Sequence, residues 1–114
     1  MKTELEERTK RFSLAPIETL KDFPKNYLGE VIGRQLLKSG TSIGANYREA
    51  NRAASRADFV HKVNLAEKEA AETVYWLELS LEAGFGASAE IQRLTQEARE
   101  LLAILATIGR NSKK

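Results

Sequence analysis

The sequence of 114 residues has no cysteine, two prolines, one methionine, one tryptophan and a single histidine. Without cysteine there is no disulfide framework, no thiolate zinc site and no cysteine nucleophile. One histidine is too few for a di-iron bundle site, which takes a Glu-x-x-His pair from each of two helices. The nearest match, Asp58-Phe59-Val60-His61, reads as a surface histidine in the first turn of a helix. No phosphate loop is present, since neither Gly40 nor Gly44 is followed by Gly-Lys-Ser/Thr. Nor can a Ser/His/Asp constellation be argued from spacing. No apolar run approaches the ~20 residues that span a bilayer. The polar start, Met1-Lys2-Thr3-Glu4-Leu5-Glu6, is unlike a secretory signal or an anchor. The expectation is a cytoplasmic protein that is not an enzyme, with no catalytic residues, no metal and no cofactor.

What is present is helix periodicity. With 42% hydrophobic and 30% charged residues, the chain suits one small domain, residues 1–114. Ile91, Leu94, Ala98, Leu101, Leu105 and Ile108 alternate steps of three and four, the rhythm of a helix packed along a bundle axis. Phe59, Val63, Ala66, Ala70, Thr73 and Leu77 repeat it. Ser55-Arg56-Ala57-Asp58 has the form of a capping box, Gly84 suits a helix end, and Ser88 suits the next helix start. A third segment carries Leu28, Ile32, Leu36, Ile43, Tyr47, Ala50 and Ala54 on one face. Gly40 and Gly44 fall within it, and each glycine costs ~1 kcal/mol against alanine in a helix interior. One bent helix is expected there, because the apolar face stays in phase across both glycines. Leu5, Phe12, Ile17, Leu20 and Phe23 mark a first helix that Pro16 kinks or starts. The expected fold is all-α, an antiparallel up-down-up-down four-helix bundle with helices at about 4–23, 27–54, 58–83 and 88–109.

The net charge of +2 hides a division. Residues 27–57 hold Arg34, Lys38, Arg48, Arg52 and Arg56 against Glu30 and Glu49, whereas residues 58–84 hold two lysines against six acidic side chains. On one continuous helix turning ~100° per residue, the five cations fall within roughly 80° of arc along about 33 Å. Such a stripe can follow a phosphate backbone. It can equally be a solvated face, or cations paired with acids of the neighbouring helix. The acidic helix also carries a second apolar stripe, Leu65, Trp76, Leu79 and Ala83, with Tyr75 beside it. A bundle helix normally buries one stripe, so Leu65, Tyr75, Trp76 and Leu79 are read as a subunit interface in preference to a wide core. Asn46 lies near the edge of the apolar arc, where a polar group needs a partner. Glu69 or Glu72 would suit, giving a register-fixing contact.

The run Gln35-Leu36-Leu37-Lys38-Ser39-Gly40-Thr41-Ser42-Ile43-Gly44-Ala45-Asn46-Tyr47-Arg48-Glu49-Ala50 resembles the signature of the bacterial four-helix-bundle family, also named for the 23S ribosomal RNA intervening-sequence protein. Ser55 to Phe59, Lys68 to Thr73 and Tyr75-Trp76-Leu77 fit as well. The resemblance implies an antiparallel four-helix bundle that assembles as a ring-like homopentamer. It also implies a partner that is RNA or a nucleic-acid-processing protein, since a related accessory protein of diversity-generating retroelements binds a reverse transcriptase and nucleic acid through a basic surface. Asn46, Arg48 and Glu49 match the family's most recognisable motif. Asn46 and Glu49, with Glu69 and Glu72, are expected to be structural, while Arg48 is counted with Arg34, Lys38, Arg52 and Arg56 as a nucleic-acid or partner-binding residue. Pro16 departs from the family's continuous first helix, and Gly44 stands where many members have proline.

Overall fold

The computed structural model describes residues 2–113, so Met1 and Lys114 lie outside the described residues. Four helices follow one another: α1 (Lys2–Thr19), α2 (Tyr27–Ala50), α3 (Arg56–Ala83) and α4 (Ser88–Ser112), with a single 3-10 turn (Leu20–Asp22) after α1. The described residues contain no strand. The molecule is a rod of 45 × 21 × 19 Å. Up-down-up-down topology follows from which loops meet. Phe23, between α1 and α2, packs edge-on against Phe85, between α3 and α4, with ring centroids 5.7 Å apart. At the other end Asn51 Nδ2, just after α2, donates to Glu6 Oε2 near the start of α1 at 2.8 Å.

Local chemistry sets the helix ends. Asn26 caps α2 by accepting from the Gly29 N–H, and Ser55 caps α3 by accepting from the Asp58 N–H. α3 ends at Gly84, which takes φ 76°, while the Phe85 N–H reaches back to the Ser80 carbonyl. Ser88 does not cap α4. It is the first helical residue, Ala87 holds the cap position, and the Ser88 hydroxyl accepts from Gln92 Nε2.

The core follows heptad spacing on every helix. α3 buries Val63, Ala66, Ala70, Thr73, Leu77 and Ser80, and α4 buries Ile91, Leu94, Ala98, Leu101 and Leu105. On α2 the buried row is Gly29, Gly33, Leu36, Gly40, Ile43, Tyr47 and Ala50. Leu28, expected inside, is 61% exposed. The row passes through glycines instead of the large side chain at the helix start. α1 buries Leu5, Thr9, Phe12, Pro16 and Thr19, leaving Ile17 exposed. Thr9 is tolerated there because its hydroxyl bonds to the Leu5 carbonyl of its own helix.

The glycines of α2 neither unwind nor divide it, since the helix is unbroken from Tyr27 to Ala50. They admit α1. A Cβ on Gly40 would lie 2.9 Å from Pro16 Cγ, and one on Gly44 would lie 3.2 Å from Thr9 Oγ1. Pro16 sits inside α1, with its ring in the notch that Gly40 leaves open. α1 packs chiefly on α2 and meets α4 only lightly. Arg8 bridges that gap, giving Nε and Nη2 to Glu97 at 2.7 and 2.8 Å and Nη2 to Glu100 at 2.8 Å.

Candidate nucleic-acid interface

α2 presents its outward face between α1 and α3. Arg34 and Lys38 are exposed there, and Arg48 is half-buried. These three share an arc of about 80° and span about 21 Å of axis. The expected continuation through Arg52 and Arg56 on one rod fails. α2 stops at Ala50, Asn51 and Arg52 form a turn, and Arg56 is the first residue of α3. At the stop, the Asn51 side chain is held by Glu6, and beyond it Ser55 adopts the extended backbone of the next cap. The cationic surface is therefore a shorter helical stripe plus a turn.

Neighbours modify each cation differently. Arg48 Nε lies 3.7 Å from Glu6 Oε1, an ion pair too long for a hydrogen bond. Lys62 of α3 pairs with Glu49 at 3.0 Å. Among the described residues no carboxylate comes within ion-pair distance of Arg34, Lys38 or Arg52. Arg8, Arg93 and Arg99, by contrast, are committed to glutamates of α3 and α4.

Asn46 does not reach α3. Its Nδ2 donates to the Ser42 carbonyl of its own helix at 2.9 Å. The buried polar contact between α2 and α3 is instead Ser39 with Thr73, whose hydroxyl oxygens lie 2.9 Å apart. Spacing placed Thr73 on the core row of α3, whereas the burial of Ser39 was not read from the sequence, and the helix register made the two partners. Glu69 and Glu72 flank the α2–α3 seam. Burial pushes the Glu69 carboxyl above its ordinary 4.5, Glu72 pushes the same way, and Lys68 and Lys38 oppose both. A carboxylate raised in the folded state favours the protonated protein, so its contribution to stability falls as pH rises through the window above 4.5. Glu69→Gln is accordingly expected to raise the urea midpoint at pH 7, with the gain over wild type shrinking on acidification to pH 4. A gain independent of pH would mean that the charge is not its source.

On α3, Tyr75 is 57% and Leu79 36% exposed, while Trp76 and Leu65 are half-buried. Tyr75 and Trp76 stack edge-to-face at 5.0 Å beside Gln35 of α2, Ala71 and Glu72. His61 is exposed, and no three His, Asp or Glu side chains converge as a metal set among the described residues. None of the helices is long and apolar enough to cross a membrane, among the described residues.

The comparisons agree with this architecture. A family model described as 23S rRNA-intervening sequence protein matches residues 1–107. Among solved structures the chain is similar to a protein with unknown function from the S23 ribosomal protein family of Bacteroides thetaiotaomicron. The two are 36% identical, with a TM-score of 0.83 over 91% of this chain and 96% of that one. No curated protein matches the sequence. A glycine-notched α2 carrying the Asn46-Tyr47-Arg48-Glu49 motif, a matching bundle and a family match over nearly the whole length lead to one assignment: the chain belongs to the 23S rRNA-intervening sequence protein family.

Proposed function

We propose that this protein is a non-enzymatic bundle that self-associates, as a homopentamer, and binds RNA through the outward face of α2 and the turn that follows it. The observation that carries the reading is that Arg34, Lys38 and Arg52 are exposed and lack carboxylate partners within ion-pair distance, although the chain has nearly as many acidic as basic residues. Three cations of α1 and α4 are not so disposed, since Arg8, Arg93 and Arg99 sit in ion pairs. Exposed cations with no carboxylate in ion-pair contact attract a polyanion and release its counterions, which makes binding steeply salt-dependent. Assembly into a ring would repeat the patch around the particle and sum its field.

The test is fluorescence anisotropy with a labelled RNA hairpin carrying single-stranded tails, across a salt series. Three or four phosphate contacts per protomer predict a slope of log affinity on log salt of about −3. Changing Arg34, Lys38 and Arg52 together to glutamine should lower affinity by about 100-fold or more and flatten that slope. Absence of binding at low salt, or an unchanged slope in the triple variant, overturns the reading.

A second reading, a protein–protein scaffold that binds no nucleic acid, is favoured by the pairing of Arg48 with Glu6 and of Lys62 with Glu49. It predicts that Arg48→Gln lowers stability or breaks the assembly, while no RNA is bound by wild type.

A further inference from the structure

The surface between α1 and α2 holds a cation that the α2 stripe does not include. Where the helices close on one another at Gly44 and Thr9, a groove of about 380 Å³ opens to solvent beside the contact. Its floor at Gly44 and Ala45 has no side chain longer than a methyl group. Its rim carries Lys10 of α1 with Arg48 and Arg52. Two carboxylates, Glu6 and Glu49, also border it; Glu6 faces Arg48 of the same groove at 3.7 Å, and Glu49 is paired with Lys62 outside it. Glu49 Oε1 is 3.0 Å from Lys62 Nζ, and Glu6 Oε2 accepts from Asn51 Nδ2 at 2.8 Å. Lys10 and Arg52 have no carboxylate within ion-pair distance among the described residues. Three cations thus border the groove against two carboxylates, and two of the three, Lys10 and Arg52, are in no ion pair among the described residues.

We infer that this groove seats a backbone phosphodiester of bound RNA, held by Lys10 and Arg52 with Arg48 alongside. The inference rests on the RNA-binding reading above and adds α1 to the contact surface. A phosphodiester carries a single negative charge and two non-bridging oxygens, which a guanidinium fork grips in bidentate fashion and an ammonium attracts as a point charge. The small floor residues let the backbone lie close to the helices. A site for a free phosphate would surround the anion with fixed donors. Here the amides of both helices are spent on their own hydrogen bonds, and the remaining donors are long side chains on an open groove. That arrangement suits one link of a phosphate chain.

The test uses the full-length protein and the tailed RNA hairpin. Lys10→Gln should weaken binding about fivefold at 0.1 M salt and reduce the salt slope by about 1. Ala45→Glu, an exposed helical position where glutamate preserves helix propensity, should weaken it by about tenfold or more by putting a like charge on the floor. Lys68→Gln on α3 serves as the control and should leave both quantities unchanged. Circular dichroism checks that each variant keeps its helix content. Wild-type binding that is indifferent to Lys10→Gln and Ala45→Glu overturns the groove and leaves the α2 reading standing. Wild type that binds no RNA overturns both. Displacement of the RNA by millimolar inorganic phosphate at constant ionic strength would reassign the groove to a small phosphate ligand and overturn the phosphodiester seat.

Discussion

Gly29→Ala is expected to destabilise the protein by about 2–4 kcal/mol, although alanine in a helix is ordinarily worth ~1 kcal/mol over glycine. A Cβ at position 29 would stand 1.9 Å from the Pro24 carbonyl oxygen and 2.9 Å from its carbon. The clash is with backbone, so no rotamer relieves it. Moving the loop is also costly, because Phe23 is buried and packed on Phe85, and Asn26 caps α2 through the Gly29 N–H itself. Losing that cap would cost about 1 kcal/mol. Gly33→Ala is the comparison, since its Cβ would meet Leu20 Cδ2 at 2.9 Å, the movable end of a half-buried side chain. Thermal denaturation at a fixed protomer concentration should show Gly29→Ala melting about 10–25 °C below wild type, and Gly33→Ala within a few degrees of it. Equal melting of Gly29→Ala and wild type would mean that the loop yields freely and that α2 does not depend on its glycine at the entry.

The second large effect is expected on assembly. Tyr75→Glu combined with Leu79→Glu should reduce the particle to a folded monomer or smaller species by light scattering. Neither side chain belongs to the core cluster, so the bundle core stays intact when they change. Trp76 lies next to them and packs partly against the core, which makes it a poor position for the same test. Two carboxylates buried in an interface without partners would each cost several kcal/mol, more than the margin of most subunit contacts. Far-UV circular dichroism should be unchanged. A mass equal to that of wild type would place this aromatic face outside the interface, and self-association, if present, would then use another surface.

Much of the fold was legible in the sequence because heptad spacing is a local property. The core rows of α3 and α4 could be read residue by residue, as could the caps at Ser55 and Gly84, since a cap depends on side chains a few positions away. α1 was harder. Its buried row runs through Thr9, Pro16 and Thr19, and a threonine that bonds back to its own helix looks polar in a sequence while behaving as packing. The glycines of α2 were legible as unusual, but their reason was not. They read as a bend and proved to be the notch that receives Pro16 and Thr9 of another helix.

The candidate site divides in the same way. Residue type and spacing located Arg34, Lys38 and Arg48 on one helix face, because angle along a helix is fixed by residue number. Whether Arg52 and Arg56 belonged with them depended on where α2 ended. The apolar spacing does not mark that end, and Asn51, the first residue beyond it, is held by Glu6, 45 positions earlier. Asn46 turned to its own helix for the same kind of reason, since the distance to Glu69 is set by how α2 and α3 pack and by nothing in either segment alone. The sequence by itself determined four amphipathic helices, the caps at Ser55 and Gly84, and a basic second helix beside an acidic third. Tertiary structure decided which helix the glycines admit, which cations are paired with carboxylates and which are not, and that Lys10 joins Arg48 and Arg52 at one groove. Periodicity acts over a few residues of chain, whereas ion pairing and close approach act through space between segments that the chain separates.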